Sequence, residues 1–252
     1  MKNNKSLGQH WLKDRVILDD IASLAGDAPR CLEIGPGLGT LTSSLLRRFS
    51  EVIAVEFDKS LATNLPKSFP GKNLTVINED FLKFDLGSVP APYVVAGNIP
   101  YYITSPIITK LLSAENLPDK IVLLIQKEVA ERIVAGPGEH TFLSLSTQNR
   151  AIVELGPVVN REYFTPPPKV DSQVIILTPK SHPEVDESVI NLIKIGFSAP
   201  RKKLIANISH GLSFSRDVLI GFFVSSGWNP NARPADLSLA EWQKLADFIH
   251  KS

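Results

Sequence analysis

From Arg30 to Leu177, short apolar runs alternate with stretches of helical periodicity. This alternation restricts the possible fold more than any other feature of the chain. The runs are CLEIG (31–35), VIAVEF (52–57), LTVIN (74–78), YVVAGN (93–98), KIVLLIQ (120–126), AIVEL (151–155) and QVIIL (173–177). They are rich in Val and Ile and almost continuously apolar, the pattern of strands buried on both faces. Between several of them the period changes. In LTSSLLRRF, Leu41, Leu45, Leu46 and Phe49 form one apolar stripe. In SPIITKLLSA, Pro106 suits a first helical turn. Strands alternating with helices predict an α/β fold with a mainly parallel sheet and right-handed crossovers.

After Thr178 the pattern becomes helical. TPKSHP (178–183) is a polar, proline-flanked linker, followed by SVINLIKIGF, KKLIANIS, RDVLIGFFVSS and LAEWQKLADFI. The last helix opens with Ser238 three residues before Glu241, a capping-box spacing. Its Trp242, Leu245 and Ile249 share one side. The expected division is a sheet domain over 1–180 and a small all-helical domain over 181–252.

Composition narrows the classes. With 43% hydrophobic and 21% charged residues, the chain is neither disordered nor of low complexity. The single cysteine, Cys31, excludes an intramolecular disulfide and a cysteine-rich metal site. The five histidines show no metal-ligand spacing, so no metal is expected. No apolar run spans a bilayer, and MKNNKSLGQHWLKDR lacks the apolar core of a signal peptide. The expectation is a cytoplasmic protein without a membrane partner. The net charge of +1 decides nothing about nucleic acid, because a local basic stripe suffices for phosphate contacts. Arg201, Lys202 and Lys203 form the densest basic cluster and are expected to meet RNA phosphates; a solvated helix face is the plainer reading. Lys2, Lys5 and Lys13 add to such a track or belong to a mobile terminus.

The run Leu32-Glu33-Ile34-Gly35-Pro36-Gly37-Leu38-Gly39 stands where the first strand gives way to a helix. Glycines here let the backbone turn tightly and approach a ligand, and strand ends of this kind bind ligands in doubly wound sheets. The spacing G-x-G-x-G differs from the G-x-G-x-x-G of dinucleotide enzymes, and no phosphate-loop lysine follows. Glu33 precedes the glycines, Glu56 ends the next strand, and Asp80 ends the third. Glu56 is placed to accept from ribose hydroxyls, and Asp80 from an adenine amino group. Three acidic groups suit a ligand with a ribose, an adenine and positive charge but no phosphate. S-adenosylmethionine meets that description. The plain alternative is that three carboxylates merely end three strands.

Gly97-Asn98-Ile99-Pro100-Tyr101-Tyr102 ends the fourth strand and is the most specific signal in the chain. Asn-Ile-Pro-Tyr resembles the Asn-Pro-Pro-Tyr motif of methyltransferases that modify the exocyclic amine of adenine. That amine is a poor nucleophile, because its lone pair is delocalised into the ring. The Asn98 side-chain oxygen and the Ile99 carbonyl can each accept one N6–H and favour a tetrahedral nitrogen. Pro100 belongs to the same element, and Tyr101 offers a face on which a purine stacks. Positioning and polarisation carry such a step without a strong base. The plain alternative is a strand-end turn with two core tyrosines.

The chain resembles the ribosomal RNA adenine N6-dimethyltransferases from Lys5 to about Leu245. The likeness covers Lys5–Leu12, Glu33–Gly39, Val55–Asp58, Asn78–Phe81, Asn98–Pro106, Gln126–Arg132 and Phe164–Ser172. It implies a class I methyltransferase (Rossmann-like) sheet with a small helical C-terminal domain. It implies S-adenosyl-L-methionine contacts from His10, Leu12, Gly35, Gly37, Glu56, Asp80, Phe81 and Asn98. It also implies that Phe164 closes over the target adenine opposite Tyr101. Family members transfer four methyls to two adjacent adenines in the 3′-terminal hairpin of small-subunit ribosomal RNA, within an immature ribosomal particle. A monomer is expected. The chain departs from the family at His10, where Asn is commoner. It departs at Gly138–Phe142, which lacks the usual Tyr-Gly, and at Arg201-Lys202-Lys203, which replaces an Arg-Arg-Lys run.

Three rival functions share some of these features. The large-subunit adenine methyltransferases of the macrolide-resistance type share the Asn-Ile-Pro-Tyr element; Thr104-Ser105-Pro106, Gln126–Arg132 and Phe197–Lys203 favour the small-subunit group. An NAD-dependent oxidoreductase conflicts with the glycine spacing. A non-catalytic ribosome assembly factor conflicts with the intact Asn98–Tyr101 element.

Overall fold

The computed structural model describes residues 10–251. Lys2, Lys5 and the remainder of the first matched run before His10 lie outside the described residues. In chain order the elements are β1 (Trp11–Leu12), α1 (Arg15–Leu24), β2 (Arg30–Ile34), α2 (Thr40–Arg48), β3 (Glu51–Glu56), α3 (Lys59–Asn64), β4 (Leu74–Asn78) and β5 (Tyr93–Asn98). There follow α4 (Thr104–Leu112), β6 (Lys120–Gln126), α5 (Lys127–Val134), α6 (Phe142–Arg150), β7 (Ala151–Val159), β8 (Phe164–Thr165) and β9 (Ser172–Pro179). The chain ends with α7 (Glu187–Gly196), α8 (Leu204–Leu212), α9 (Arg216–Ser225) and α10 (Leu239–Lys251).

Seven strands form one sheet in the order β4-β3-β2-β5-β6-β9-β7. The five strands β4, β3, β2, β5 and β6 are parallel, and β9 runs antiparallel to both β6 and β7. β2 has β3 on one side and β5 on the other, which makes it the switch point of the strand order. Crevices open at the carboxyl ends of strands at such a point. Register then brings the expected site residues together. Ile34 lies beside Val55 and Gly97, so Gly35, Glu56 and Asn98 all emerge at one end of the sheet.

The continuously apolar runs behave as expected in the middle of the sheet. Cys31, Leu32, Val52, Ala54, Val95, Ala96 and the five residues Ile121–Ile125 are fully buried. Each large aliphatic side chain removed from water stabilises the fold by about 1.5–3 kcal/mol. The run AIVEL is different. β7 is an edge strand, and Ile152 is 57% exposed. Pro157, which has no N–H to donate, sits at the irregularity between Leu155 and Val158. A run of apolar residues does not disclose whether its strand is central or at an edge. A further two-stranded sheet, β1 with β8, has no signature in the periodicity because each strand has two residues.

By its internal packing the chain separates into two units. One holds the chain up to Glu131 together with Ala151–Pro179; the other holds Arg132–Arg150 and the chain from Lys180. This differs from the expected division at 180 by one segment, 132–150. The reason is packing within the second unit. Leu145 of α6 belongs to the same buried cluster as Val189, Ile193, Phe223, Trp242 and Leu245. Asn149 is buried, donates to the Val185 carbonyl (3.1 Å) and accepts from its N–H (2.8 Å). The capping box of α10 forms as expected: Ser238 N–H donates to Glu241 Oε2 at 2.8 Å, and Glu241 N–H to Ser238 Oγ at 3.4 Å.

Candidate active site

A cavity of about 290 Å³ lies in the first unit at the carboxyl ends of β2, β3 and β5. The glycine loop makes its floor. Gly35 has φ +63°, and nothing stands within 4 Å of the place a Cβ would take, so its backbone is open to a close-lying ligand. Gly39, the first residue before α2, has φ +81°; a Cβ there would come within 2.6 Å of Leu65 and 2.9 Å of Phe69. Both positions therefore disfavour other residues, one by conformation and one by space as well.

Glu56 is held from two sides. Its Oε2 accepts from Gly37 N–H at 3.0 Å and its Oε1 from Asp58 N–H at 2.8 Å. The glycine loop and the end of β3 thus share one carboxylate, which lines the cavity with lone pairs to spare. Burial raises its pKa above the usual carboxylate range, partly offset by the backbone N–H groups of Asp58 and Gly37. Glu33 is more extreme. It is 1% exposed, and burial pushes its carboxyl up to about 8, with the neighbouring Glu56 adding to the rise. Of the acids at these strand ends, Glu33 is the one that burial drives furthest toward its protonated form. Its Oε2 is buried at the cavity wall without a partner in the protein. Asp80 and Phe81 also line the cavity, and Asp80 Oδ1 accepts from Leu82 N–H at 3.0 Å.

Asn98, Ile99, Pro100 and Tyr101 line the same cavity. Asn98 Nδ2 donates to the His10 carbonyl at 3.0 Å, which commits the amide nitrogen and leaves Oδ1 as an acceptor. Tyr101 Oη is 2.8 Å from Ser172 Oγ, and burial raises the phenol's pKa. The His10 ring is anchored by Nδ1, 2.8 Å from the Pro166 carbonyl. Tyr101 and Tyr102 are not core tyrosines: both line the cavity, and Tyr102 is mostly exposed.

Two expected residues are placed elsewhere. Leu12 and Phe164 face each other across the small β1–β8 sheet and are buried in the core with Val159 and Val174. Neither lines the cavity. The Phe164 ring is 2% exposed and packs in the core cluster. A lone aromatic before a proline run carries no sign of which way it turns. Arg201, Lys202 and Lys203 are exposed in the turn between α7 and α8 of the second unit. Asn207 sets that turn by donating to the carbonyls of Gly196 (2.6 Å) and Ala199 (3.0 Å).

The periodicity and motif spacing missed Ser172 and Trp11. Ser172 is fully buried, and the Trp11 indole lies 3.1 Å from where a Cβ of Gly37 would stand. Both lie inside segments that the family likeness covers, which was the available signal. Among the described residues no group of three or more His, Cys, Asp or Glu is placed to hold a metal ion.

A parallel sheet with an antiparallel end, a glycine-floored cavity at its switch point and an anchored acidic residue beside it define a class I methyltransferase. Known proteins agree with that assignment. The chain superposes on the crystal structure of a dimethyladenosine transferase from Plasmodium falciparum with a TM-score of 0.79, 30% identity, and coverage of 95% of this chain and 97% of that one. It superposes on the crystal structure of the 23S rRNA methyltransferase ErmE with a TM-score of 0.76, 28% identity, and coverage of 94% and 98%. The ribosomal RNA adenine dimethylase model matches residues 1–251. Proteins named ribosomal RNA small subunit methyltransferase A are 42% identical in Nostoc sp., over 99% of this chain and 98% of theirs, and 40% identical in Acaryochloris marina, over 98% and 97%. The chain belongs to the ribosomal RNA adenine dimethylase family.

Proposed function

We propose that the chain dimethylates the N6 amines of two adjacent adenines in the 3′-terminal hairpin of small-subunit (16S) ribosomal RNA, using S-adenosyl-L-methionine. The observation that carries the reading is the Asn98 amide, fixed by the His10 carbonyl beside Tyr101 in one cavity with the anchored Glu56. The relatives named as small-subunit methyltransferases favour this substrate over large-subunit RNA.

The residues present fit the cofactor. Glu56 keeps acceptors for two vicinal hydroxyls, Gly35 leaves room for close approach, and Glu33 Oε2 lacks a donor or acceptor partner in the wall. Asp80 and Phe81 supply an acceptor and an apolar face for a purine. When bound, S-adenosylmethionine supplies an electrophilic methyl group on a sulfonium. The protein's own part is positioning. Asn98 Oδ1 and the Ile99 carbonyl accept the two N6–H groups, which localises the nitrogen lone pair, and Tyr101 stacks on the base. Once N6 carries the new methyl, its excess proton is acidic and passes to solvent, so no strong base is needed. Arg201, Lys202 and Lys203 contact RNA phosphates. The enzyme works as a monomer in the cytoplasm, without a metal, on an immature small ribosomal particle. No helix among the described residues is long and apolar enough to cross a membrane.

Mass spectrometry of RNA tests this reading. Unmodified small-subunit particles incubated with enzyme and S-adenosylmethionine should gain two methyls on each of two neighbouring adenines, and large-subunit RNA none. Methylation confined to large-subunit RNA, or no methylation of either, refutes it.

A further inference from the structure

We infer that Lys110 is a positioning residue for the cofactor's adenine and acts through Leu82 on Asp80. The inference rests on the cofactor reading above, in which the Asp80 carboxylate accepts from the adenine amino group. Lys110 Nζ donates to the Leu82 carbonyl at 3.1 Å, and Leu82 N–H donates to Asp80 Oδ1 at 3.0 Å. Both main-chain groups of Leu82 are therefore held, one by α4 and one by the carboxylate itself. Asp80 and Leu82 line the cavity, and Lys110 does not. The cation reaches the site only by way of one residue's backbone.

Asp80 opens a tight turn beyond β4. The N–H groups of Lys83 and Phe84 donate to its carbonyl at 2.8 and 3.0 Å. Phe81 and Phe84 are buried, and their stacked rings fasten the apolar side of the turn. A helical turn this short leaves later carbonyls without partners inside it, and Lys110 supplies a donor to one of them. A hydrogen bond weakens steeply when it bends, so the direction of the Asp80 carboxylate depends on where Leu82 N–H points. Holding the carbonyl of the same residue keeps that N–H in place. The support is fixed in turn, because Ile107, Ile108 and Leu111 of α4 are buried in the core. α4 starts at Thr104, three residues after Tyr101. One helix thus runs from the element proposed for the target amine to the turn proposed for the cofactor's adenine.

A positioning role separates from a merely structural one by base discrimination. The protein is titrated with S-adenosylhomocysteine and with S-inosylhomocysteine, in which a carbonyl oxygen replaces the amino group that Asp80 would accept from. Wild type should prefer the adenine compound by about tenfold or more, the worth of a hydrogen bond to a charged group. Lys110→Met keeps an apolar stem and removes the donor. It should lower that preference by about threefold or more and leave the affinity for S-inosylhomocysteine within about twofold. Lys110→Arg restores a donor and should recover at least half of the loss. The inference is overturned if Lys110→Met keeps the wild-type preference, if Lys110→Arg loses as much as Met, or if both affinities fall together. A wild type that binds both compounds equally removes the Asp80 role, and the inference with it, while leaving methylation standing. A wild type that binds neither compound defeats the cofactor reading itself. If wild type discriminates and Lys110→Met does so equally well, only the Lys110 assignment falls.

Discussion

The phenol oxygen of Tyr101 and the hydroxyl of Ser172 are 2.8 Å apart, and Ser172 is fully buried. Ser172 opens β9, opposite Gln126 of β6. The sheet therefore holds the far end of the Tyr101 ring, the proposed stacking face. Ser172→Ala should lower turnover roughly fivefold to tenfold, the worth of a hydrogen bond of about 1–1.5 kcal/mol. Cofactor affinity should not change. Single-turnover kinetics beside a cofactor titration checks this, and an unaltered rate rules out a positioning role for Ser172.

Asn98 and Glu56 should fail in opposite ways. Asn98→Ala removes the proposed acceptor for the amine and should reduce turnover by about 100-fold or more, by analogy with loss of one preorganised polar group, while sparing cofactor affinity. Glu56→Ala releases Gly37 and Asp58 along with the proposed ribose acceptors. Hydrogen bonds to a charged group are worth about 1.5–3 kcal/mol each, so cofactor affinity should weaken by roughly 10–100-fold. Calorimetry on both variants reads the contrast.

Glu33 makes stability depend on pH. Its carboxyl is pushed up from the ordinary value of 4.5 to about 8 in the fold by burial. The folded form holds its proton after the unfolded chain has lost its own. Stability is thus fully present below 4.5 and declines as pH rises through the window up to about 8. Burial of Glu56 acts in the same direction. Glu33→Gln should flatten the decline and raise the melting temperature near the top of that window. Thermal denaturation at several pH values reads this; parallel curves for parent and variant contradict a neutral buried acid.

Asn207 supports the basic turn from beneath. Removing its side chain leaves the Gly196 and Ala199 carbonyls without that donor, at a cost of about 1–3 kcal/mol. Asn207→Ala should lower the melting temperature and weaken RNA binding although every cation remains. Retained RNA affinity in a destabilised variant would detach the turn's shape from its proposed use.

Replacing Arg201, Lys202 and Lys203 with Ala should make RNA affinity less sensitive to salt. Each phosphate that the protein no longer neutralises reduces the logarithmic slope by about 0.7–0.9. An unchanged slope returns the cluster to a solvated surface.

What the sequence disclosed follows a physical division. Residues whose role is imposed by the backbone were legible. The glycines before α2 betray positive φ, the Val and Ile runs betray strands, and Asn98–Tyr101 marks the strand end that lines the cavity. Residues whose role depends on the direction of a side chain were not. Nothing in the order of residues told that Phe164 turns inward while His10 faces Tyr101. Glu33 was legible as an acid at a strand end but not as a neutral one, because its protonation follows from the depth of burial. The edge position of β7 depends on a pairing with β9 formed after the chain has passed through β8.

The interleaving of 132–150 with the residues after 179 bears on any attempt to dissect the molecule. A single cut near 180 would sever Leu145 from the cluster around Trp242 and strip Val185 of both bonds to Asn149. A C-terminal fragment prepared that way would begin life with a hole in its interior. Fragment complementation would need the excised segment supplied alongside it, so the helical portion is an insert-and-tail assembly and not a detachable appendage.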